Sequence, residues 1–189
     1  MYINNLITGS LTLGSGGSTP ATMAETRIWW SSDESNYNDY LIEGALDCPA
    51  LTEKGLMPEG SGEENPASWY NPPVKIEIGS AVTSIGDSVF SECSGLTSVA
   101  IPNSVTIIGS YAFYSCNRIT SVTIPNSVAS IGDNAFLNCW RLTSVTFEGK
   151  DKSTVQGMMS NYPFGLNYAN DNGVTIHCTD EDIQVQFEG

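Results

Sequence analysis

A unit of 23 residues occurs three times in succession between Ile76 and Phe147, and this periodicity constrains the fold more than any other feature. The tripeptide Thr-Ser-Val begins at Thr97, again at Thr120 and again at Thr143. A fixed period of this length is typical of repeat stacks, in which each unit packs mainly against its neighbours. We therefore predict an α/β solenoid. Three columns of identical residues carry the repeat: Ile85, Ile108 and Ile131; Phe90, Phe113 and Phe136; Cys93, Cys116 and Cys139.

The first part of each unit alternates in hydrophobicity, as a strand does. Val99 and Ile101 are two residues apart and share one face of a strand, which we predict to be the core side. Ser98 and Ala100 then face outward, and Pro102 ends the strand because proline lacks a ladder donor. Successive units predict a parallel β-sheet with an exposed outer strip. The outer strip consists of Ser98, Ala100, Ser121, Thr123, Ser144 and Thr146.

The second part of each unit predicts a short helical turn. Asp87, Ser110 and Asp133 occupy one column, and these residue types favour the N-cap of a helix. We therefore expect a helical turn in each unit, with the phenylalanine column buried beneath it. A glycine precedes each cap, and we expect it to adopt positive φ. These glycines are Gly86, Gly109 and Gly132.

The cysteine column is predicted to be structural. Stacked units place Cys93, Cys116 and Cys139 one strand spacing apart, about 5 Å, but parallel side chains have the wrong geometry for a disulfide. One thiol per unit cannot surround a zinc ion tetrahedrally, so we expect small buried hydrophobic side chains. Cys48 and Cys178 lie outside the column, and a disulfide between them is the alternative to two free thiols.

The segment before the repeats has no such periodicity. Arg27–Trp30 predicts a strand with Trp29 and Trp30 on opposite faces, whereas Tyr40–Leu46 has helical spacing at most. A repeat stack exposes its apolar interior at each end, so we predict that residues 21–73 form a mainly β cap. The alternative is a small binding or anchoring module, which the dense aromatic residues of this segment favour.

The segment after Phe147 follows the 23-residue period only in part. Ser153–Met159 predicts a short helix capped by Ser153, and Val174–Cys178 predicts one more strand. Alternation at Ile183, Val185 and Phe187 predicts a terminal edge strand. The expected organisation is an amino-terminal strand and Gly/Ser linker (1–20), the cap (21–73), the solenoid (74–178) and the edge strand (179–189). Within the solenoid the repeats are 78–100, 101–123 and 124–146, followed by an irregular terminal repeat, 147–178.

The repeat resembles the BspA-like (Treponema-type) leucine-rich repeat, with the pattern Leu-x-x-Val-x-Ile-Pro-x-x-Val-x-x-Ile-Gly-x-x-Ala-Phe-x-x-Cys-x-x-Leu. The likeness covers about residues 74–147, and the first unit departs from it at Gly79 and Val89. The resemblance implies a right-handed superhelix of leucine-rich repeats. It also implies a bacterial cell-surface or secreted protein linked to adhesion, since members of this family commonly are; phage-associated proteins carry the repeat as well.

The charge balance argues against several partners. The net charge is −14 with only 7 lysines and arginines, so we expect no binding to nucleic acid, whose phosphates require clustered cations. Anionic membrane surfaces are disfavoured for the same reason. No run approaches the roughly 20 apolar residues of a membrane helix, and the first residues do not resemble a signal peptide. Charged residues make up 15% of the chain, which favours an extracellular, neutral polar surface.

No enzymatic centre, cofactor or metal site is predicted. His177 is the single histidine, and adjacent residues of a strand face opposite ways, so it cannot form a catalytic pair with Cys178. The run Asp180-Glu181-Asp182 favours a solvated acidic turn over a calcium site. The phosphate-binding and serine-elbow motifs of common enzymes are not found.

Two functions fit these features. The first is an interaction module that binds a protein or glycan through the outer strip, flanked by Arg118, Trp140 and Arg141 in the loops before the strands. Trp140 is the strongest single candidate because tryptophan and arginine are frequent binding anchors. The second is a structural or fibre subunit of a phage or surface assembly, in which residues 2–13 form a strand that anchors the chain and joins copies into a homo-oligomer.

Overall fold

The computed structural model of the chain describes residues 24–33, 35–56, 72–159, 163–164 and 173–185. The predicted amino-terminal strand and linker, residues 1–20, lie outside these ranges, as does Phe187. The described residues form twelve strands and two helices. The strands are β1 (Thr26–Trp29), β2 (Tyr37–Tyr40), β3 (Gly44–Leu46), β4 (Lys75–Glu77), β5 (Val82–Ile85), β6 (Ser98–Ala100), β7 (Ile107–Ile108), β8 (Ser121–Ile124), β9 (Ser130–Ile131), β10 (Ser144–Phe147), β11 (Val174–His177) and β12 (Ile183–Val185). The helices are α1 (Cys48–Glu53) and α2 (Lys152–Met158).

These strands form three four-stranded sheets within the described ranges. Two of them, which we call the front sheets, have the strand orders β2-β1-β4-β6 and β8-β10-β11-β12. The third, the side sheet, has the order β3-β5-β7-β9 and is parallel throughout. The sequence predicts one parallel sheet, but each repeat provides a front strand and also a side strand, because the isoleucine column pairs as well.

Consecutive repeat units, which we call rungs, align with the period of the sequence. In the front sheets Ser121 pairs with Ser144, its counterpart 23 residues later. In the side sheet Ile108 pairs with both Ile85 and Ile131. Equal positions therefore stack, and the columns predicted to face inward are buried. These are Val82, Val105 and Val128; Ile85, Ile108 and Ile131; Val89, Ala112 and Ala135; Phe90, Phe113 and Phe136.

The phenylalanine column is a continuous stack of rings. The ring centroids of Phe90 and Phe113 are 5.2 Å apart, and those of Phe113 and Phe136 are 5.0 Å apart. Phe164 extends the stack at 5.5 Å from Phe136, beyond the last regular rung. Aromatic pairs at such distances add to the stabilisation from burial, so this column is the central support of the stack.

The predicted helical turns are wrong. The region after each glycine is a series of turns, and the described repeats contain no helix there. The amide of Phe90 donates to the carbonyl of Ala112 at 2.8 Å, and the amide of Phe113 donates to that of Ala135 at 2.7 Å. Because these amides bond to the next rung, they are not available for a helix. We call these regions the turn segments: residues 87–93, 110–116 and 133–139.

The residue after each expected helix cap has a left-handed backbone. Ser88, Tyr111 and Asn134 have φ of 55°, 54° and 55°. Residues other than glycine rarely adopt this conformation, which costs on the order of 1 kcal/mol or more. The bonds between rungs offset that cost, so the turn geometry depends on the neighbouring rung.

The glycine column allows the rungs to approach closely, and the predicted positive φ is wrong. None of these three glycines has positive φ. A Cβ atom added to Gly109 would lie 2.6 Å from the amide nitrogen of Asp87 and 2.6 Å from the carbonyl carbon of Gly86. Only a hydrogen atom fits in that space, so glycine is required by the backbone of the preceding rung.

All three side chains of the cysteine column are fully buried. The thiol of Cys116 donates to the carbonyl of Phe90 at 3.1 Å, and that of Cys139 donates to the carbonyl of Phe113 at 3.1 Å. Burial raises the pKa of Cys139 to about 12, and it also raises the pKa values of Cys93 and Cys116. All five cysteines are free thiols, so no disulfide joins Cys48 and Cys178.

The cap adds strands to both kinds of sheet. β1 pairs antiparallel with β4 in a front sheet, and β3 pairs parallel with β5 in the side sheet. The helical spacing expected for residues 40–46 is wrong, since β3 lies there and α1 begins afterwards. Asp47 caps α1 by accepting from the amide of Ala50 at 2.9 Å. The cap thus packs against the first rung, and its residues Ile28, Leu46 and Leu51 belong to the same buried core.

The carboxy-terminal region ends the stack with a helix and two strands. α2 is capped by Asp151, which accepts from the amide of Thr154 at 2.8 Å, whereas the predicted cap, Ser153, donates its hydroxyl to Asp151. β11 pairs parallel with β10, and β12 pairs antiparallel with β11. β12 is the edge of its sheet, and its antiparallel direction ends the parallel series.

Candidate functional site

The front sheets bring the outer strip together in two rows. The first row contains Ser98, which pairs with Lys75, and then Ser121, which pairs with Ser144. The register extends that row to Thr175 on β11. The second row contains Glu77 and Ala100, which pair with each other. It continues with Thr123, Thr146 and His177. Because side chains alternate along a strand, both rows lie on the face opposite the core.

Short, uncharged side chains form the centre of this face. Ser98, Ser121 and Thr123 are exposed, while Ala100, Ser144 and Thr146 are half-buried. Hydroxyl groups donate and accept hydrogen bonds, and short side chains lose little rotamer freedom when a partner covers them. The face is therefore open to a partner without large side chains having to move.

The cap builds a cluster of charged and aromatic residues at one end of this face. The guanidinium of Arg27 donates to both carboxylate oxygens of Asp39, at 2.7 and 3.1 Å. The same guanidinium lies 4.1 Å from the ring centroid of Tyr37, and the ammonium of Lys75 lies 4.3 Å from that of Trp29. The hydrogen bond with Asp39 raises the pKa of Arg27. These contacts hold the cluster in one arrangement, and they use both of its cations.

Sequence reasoning missed this cluster as part of the site. It noted the aromatic density of the cap, but the neighbours depend on antiparallel pairing between β1, β2 and β4. Trp29 is buried on the outer side of β1, whereas Ile28 belongs to the core and Trp30 packs against it. The predicted opposite faces of the two tryptophans are thus observed, with Trp29 on the side of the candidate site.

The opposite end of the face carries small polar pairs. His177 Nδ1 lies 3.0 Å from Asp182 Oδ2, and the hydroxyl of Thr175 donates to Gln184 Oε1 at 3.1 Å. Asp180 accepts from the amide of Lys152 at 2.8 Å. Each acid near β12 thus has its own partner. No group of three or more potential metal ligands converges anywhere in the described ranges.

A gap separates the two front sheets between β6 and β8. These strands belong to adjacent rungs, yet each ends its own sheet. A cavity of about 290 Å³ lies between them. We call it the slot, and its lining is Ser98, Val99, Ala100, Ile101, Ser121, Val122 and Thr123. The slot therefore lies in the middle of the outer strip.

The three predicted flanking residues precede the front strands. Arg118 comes just before β8, and Trp140 and Arg141 come just before β10; all three are exposed, Trp140 by 53%. Arg118 and Arg141 are equivalent positions of adjacent rungs, so their backbones lie about one strand spacing, 5 Å, apart. Neither arginine forms an ion pair with a described residue. They are available to an anionic group of a partner.

The described part of the chain contains no helix that is long and apolar enough to cross a membrane.

Rungs that stack in register, with short parallel strands and buried columns of isoleucine and phenylalanine, define a leucine-rich repeat protein. A family model described as "BspA type Leucine rich repeat region (6 copies)" matches residues 70–172, more than half of the chain. The chain therefore belongs to the BspA-type leucine-rich repeat family. Leucine-rich repeats of this kind are interaction modules and typically non-enzymatic, and the family is often surface-associated.

One solved structure is similar over part of the chain. The crystal structure of a leucine-rich repeat protein from T. pallidum is 34% identical over 40% of this chain and 36% of that chain, with a TM-score of 0.38. No curated protein matches the sequence.

Proposed function

We propose that this chain is a non-enzymatic binding module of a bacterial cell-surface or secreted protein, and that it adheres to a protein or glycan through the outer face of the front sheets. The observation that carries the proposal is the outer strip. Six short side chains from three rungs lie in two rows on one open face, and neither row has a charged residue at its centre.

The surroundings of the strip support the same proposal. The cluster around Arg27 holds one end of the face rigid, and rigid surfaces lose less entropy when they bind. Arg118, Trp140 and Arg141 add exposed groups of the kinds that often anchor interfaces.

The test is binding of the full chain to arrays of extracellular matrix proteins and of glycans, followed by matched variants. Thr146→Arg places a bulky charge on the strip, and Ser130→Arg places the same charge on the exposed side sheet. We expect Thr146→Arg to weaken binding at least about tenfold, equivalent to 1.4 kcal/mol, and Ser130→Arg to leave it unchanged. Equal effects of the two variants would contradict the proposal.

The fibre alternative rests on the amino-terminal segment and is distinguished by mass. Light scattering of the full chain, and of a version lacking residues 1–20, measures the oligomeric state. A stable oligomer that becomes monomeric on truncation supports an assembly subunit, whereas a monomer in both cases supports the binding module.

A further inference from the structure

The slot between β6 and β8 is a local opening in an otherwise paired stack. β4 pairs with β6, and β8 pairs with β10, each over the same strand positions. β6 and β8 occupy equivalent places in adjacent rungs but are not hydrogen-bonded neighbours. Their facing main-chain edges are therefore not used to join the two rungs.

The same two rungs are joined on their other sides. Ile85 pairs with Ile108 in the side sheet. In the turn segments the amide of Ser88 donates to Ser110 at 2.9 Å, alongside the bond from Phe90 to Ala112. Since these bonds hold the rungs at their normal spacing, the slot cannot admit a whole additional strand. Its volume, about 290 Å³, is near the lower limit of small-molecule pockets and suits one side chain.

The slot exposes two core-side residues at β6, Val99 and Ile101. Val99 is half-buried, whereas its counterparts Ile76, Val122 and Val145 are 0%, 3% and 0% exposed. Ile101 is also half-buried, whereas its counterparts Ile78, Ile124 and Phe147 are 4%, 0% and 2% exposed. Covering Val99 and Ile101 with an apolar group would gain about 25 cal/mol for each Å² removed from water. The lining contains neither a charged nor an aromatic residue, so it offers an apolar side chain a place but gives a sugar ring no stacking surface.

The charged residues near the slot indicate that its ligand carries an acidic group as well as an apolar one. Arg118 precedes Ser121 of the slot by three residues, at most about 11 Å along the chain. In a chain of net charge −14, Arg27, Lys75 and Lys152 form ion pairs, while Arg118 and Arg141 form none with a described residue. An acidic group is the complement of these two arginines.

We propose that the slot receives one aliphatic or aromatic side chain from an extended segment of a partner protein, and that an acidic residue of the same segment binds Arg118 and Arg141. The main chain of this segment lies on the outer face above the slot, within reach of the hydroxyl groups of Ser98, Ser121 and Thr123. The inference rests on the proposed function, and it narrows the ligand from a protein or glycan to an acidic, extended polypeptide.

The first experiment measures access to the slot without any ligand. Val99→Cys and its counterpart Val145→Cys are made in a Cys178→Ser background, because the other native cysteines are buried. A thiol-reactive maleimide should label Val99→Cys at least about tenfold faster than Val145→Cys. Ile101→Cys provides the same readout if Val99→Cys does not fold. Equal labelling rates would show that the slot is not open and would overturn the inference.

The second experiment identifies the ligand chemistry with short random peptides displayed on phage and selected on the full chain. We expect enriched peptides to combine a large apolar residue with a nearby Asp or Glu. Enrichment of basic peptides, or of none, would contradict the proposal. An enriched peptide should also protect Val99→Cys from the maleimide.

Matched variants separate the slot from the face around it. Ser121→Leu fills the slot, whereas Ser144→Leu makes the same change at the equivalent position of the next rung, outside the slot. We expect Ser121→Leu to weaken peptide binding at least about tenfold and Ser144→Leu to have a smaller effect. Equal losses would reject the slot but keep the outer face as the binding surface. No loss from either variant, together with an unchanged Thr146→Arg, would reject the proposed function itself.

Discussion

The turn segments and the front sheets follow the same period but differ in how completely they join the rungs. In the turn segments alternate amides donate to the next rung, from Phe90 to Ala112 and again from Phe113 to Ala135. In the front sheets the series of paired strands stops between β6 and β8. The continuous side determines the stability of the stack, and the interrupted side leaves room for a ligand.

The largest effect should come from the continuous side, at the centre of the ring stack. Phe113→Ala removes the ring between Phe90 and Phe136, and we expect the free energy of unfolding to fall by about 3–5 kcal/mol. Urea denaturation followed by circular dichroism measures it. Trp140→Ala is the control, since an exposed aromatic should change stability by less than about 0.5 kcal/mol. Similar losses for the two variants would refute the supporting role of the stack.

A smaller effect should come from the close approach of the rungs. Gly109→Ala forces a methyl group against the backbone of Asp87, and we expect a loss of about 1–3 kcal/mol, as for other overpacked sites. Gly157→Ala in α2 is the control, because no described residue outside the helix backbone has an atom within 4 Å of its added Cβ, and it should stabilise by up to about 1 kcal/mol. Thermal unfolding of both variants measures the sign of each change in stability. A stabilising Gly109→Ala would disprove the packing argument.

The smallest effect compares the two sides of the gap directly. Val145→Ala removes a fully buried side chain and should cost about 2 kcal/mol. Val99→Ala makes the same change beside the slot, where the side chain is only half-buried, and should cost less than about 1 kcal/mol. The urea midpoints of the two variants measure the two losses in stability. If Val99→Ala costs as much as Val145→Ala, the front sheets are closed in solution.

The sequence predicts those parts of the fold that depend on position within the repeat. The buried columns at Phe90, Phe113 and Cys116 follow from the period, and so does the outward direction of Ser121. The conformation of the turn segments does not follow, because Asp87 favours a tight turn as much as it favours a helix cap. Hydrogen bonds to the next rung decide between the turn and the helix, and a local sequence pattern cannot predict those bonds.

The features that distinguish the candidate site are long-range and therefore harder to predict. Val99 and Ile101 fit the same repeat pattern as Val122 and Ile124, so the sequence contains no sign of the slot. The cluster around Arg27 depends on pairing between strands that are far apart in the chain. Arg118 and Arg141, in contrast, are candidates from the sequence alone, because they lie in the loops before the strands and arginine is a frequent binding anchor.

A strand that runs against the direction of the rungs adjoins each end of the parallel series, since β1 is antiparallel to β4 and β12 is antiparallel to β11. A further rung can be inserted between existing rungs, because equal positions present equal surfaces. Tandem duplication of a 23-residue unit would lengthen the protein by about 5 Å. It would also add two outward positions to the face. The outer face can thus be lengthened in whole units without a change at the strands that adjoin either end of the parallel series.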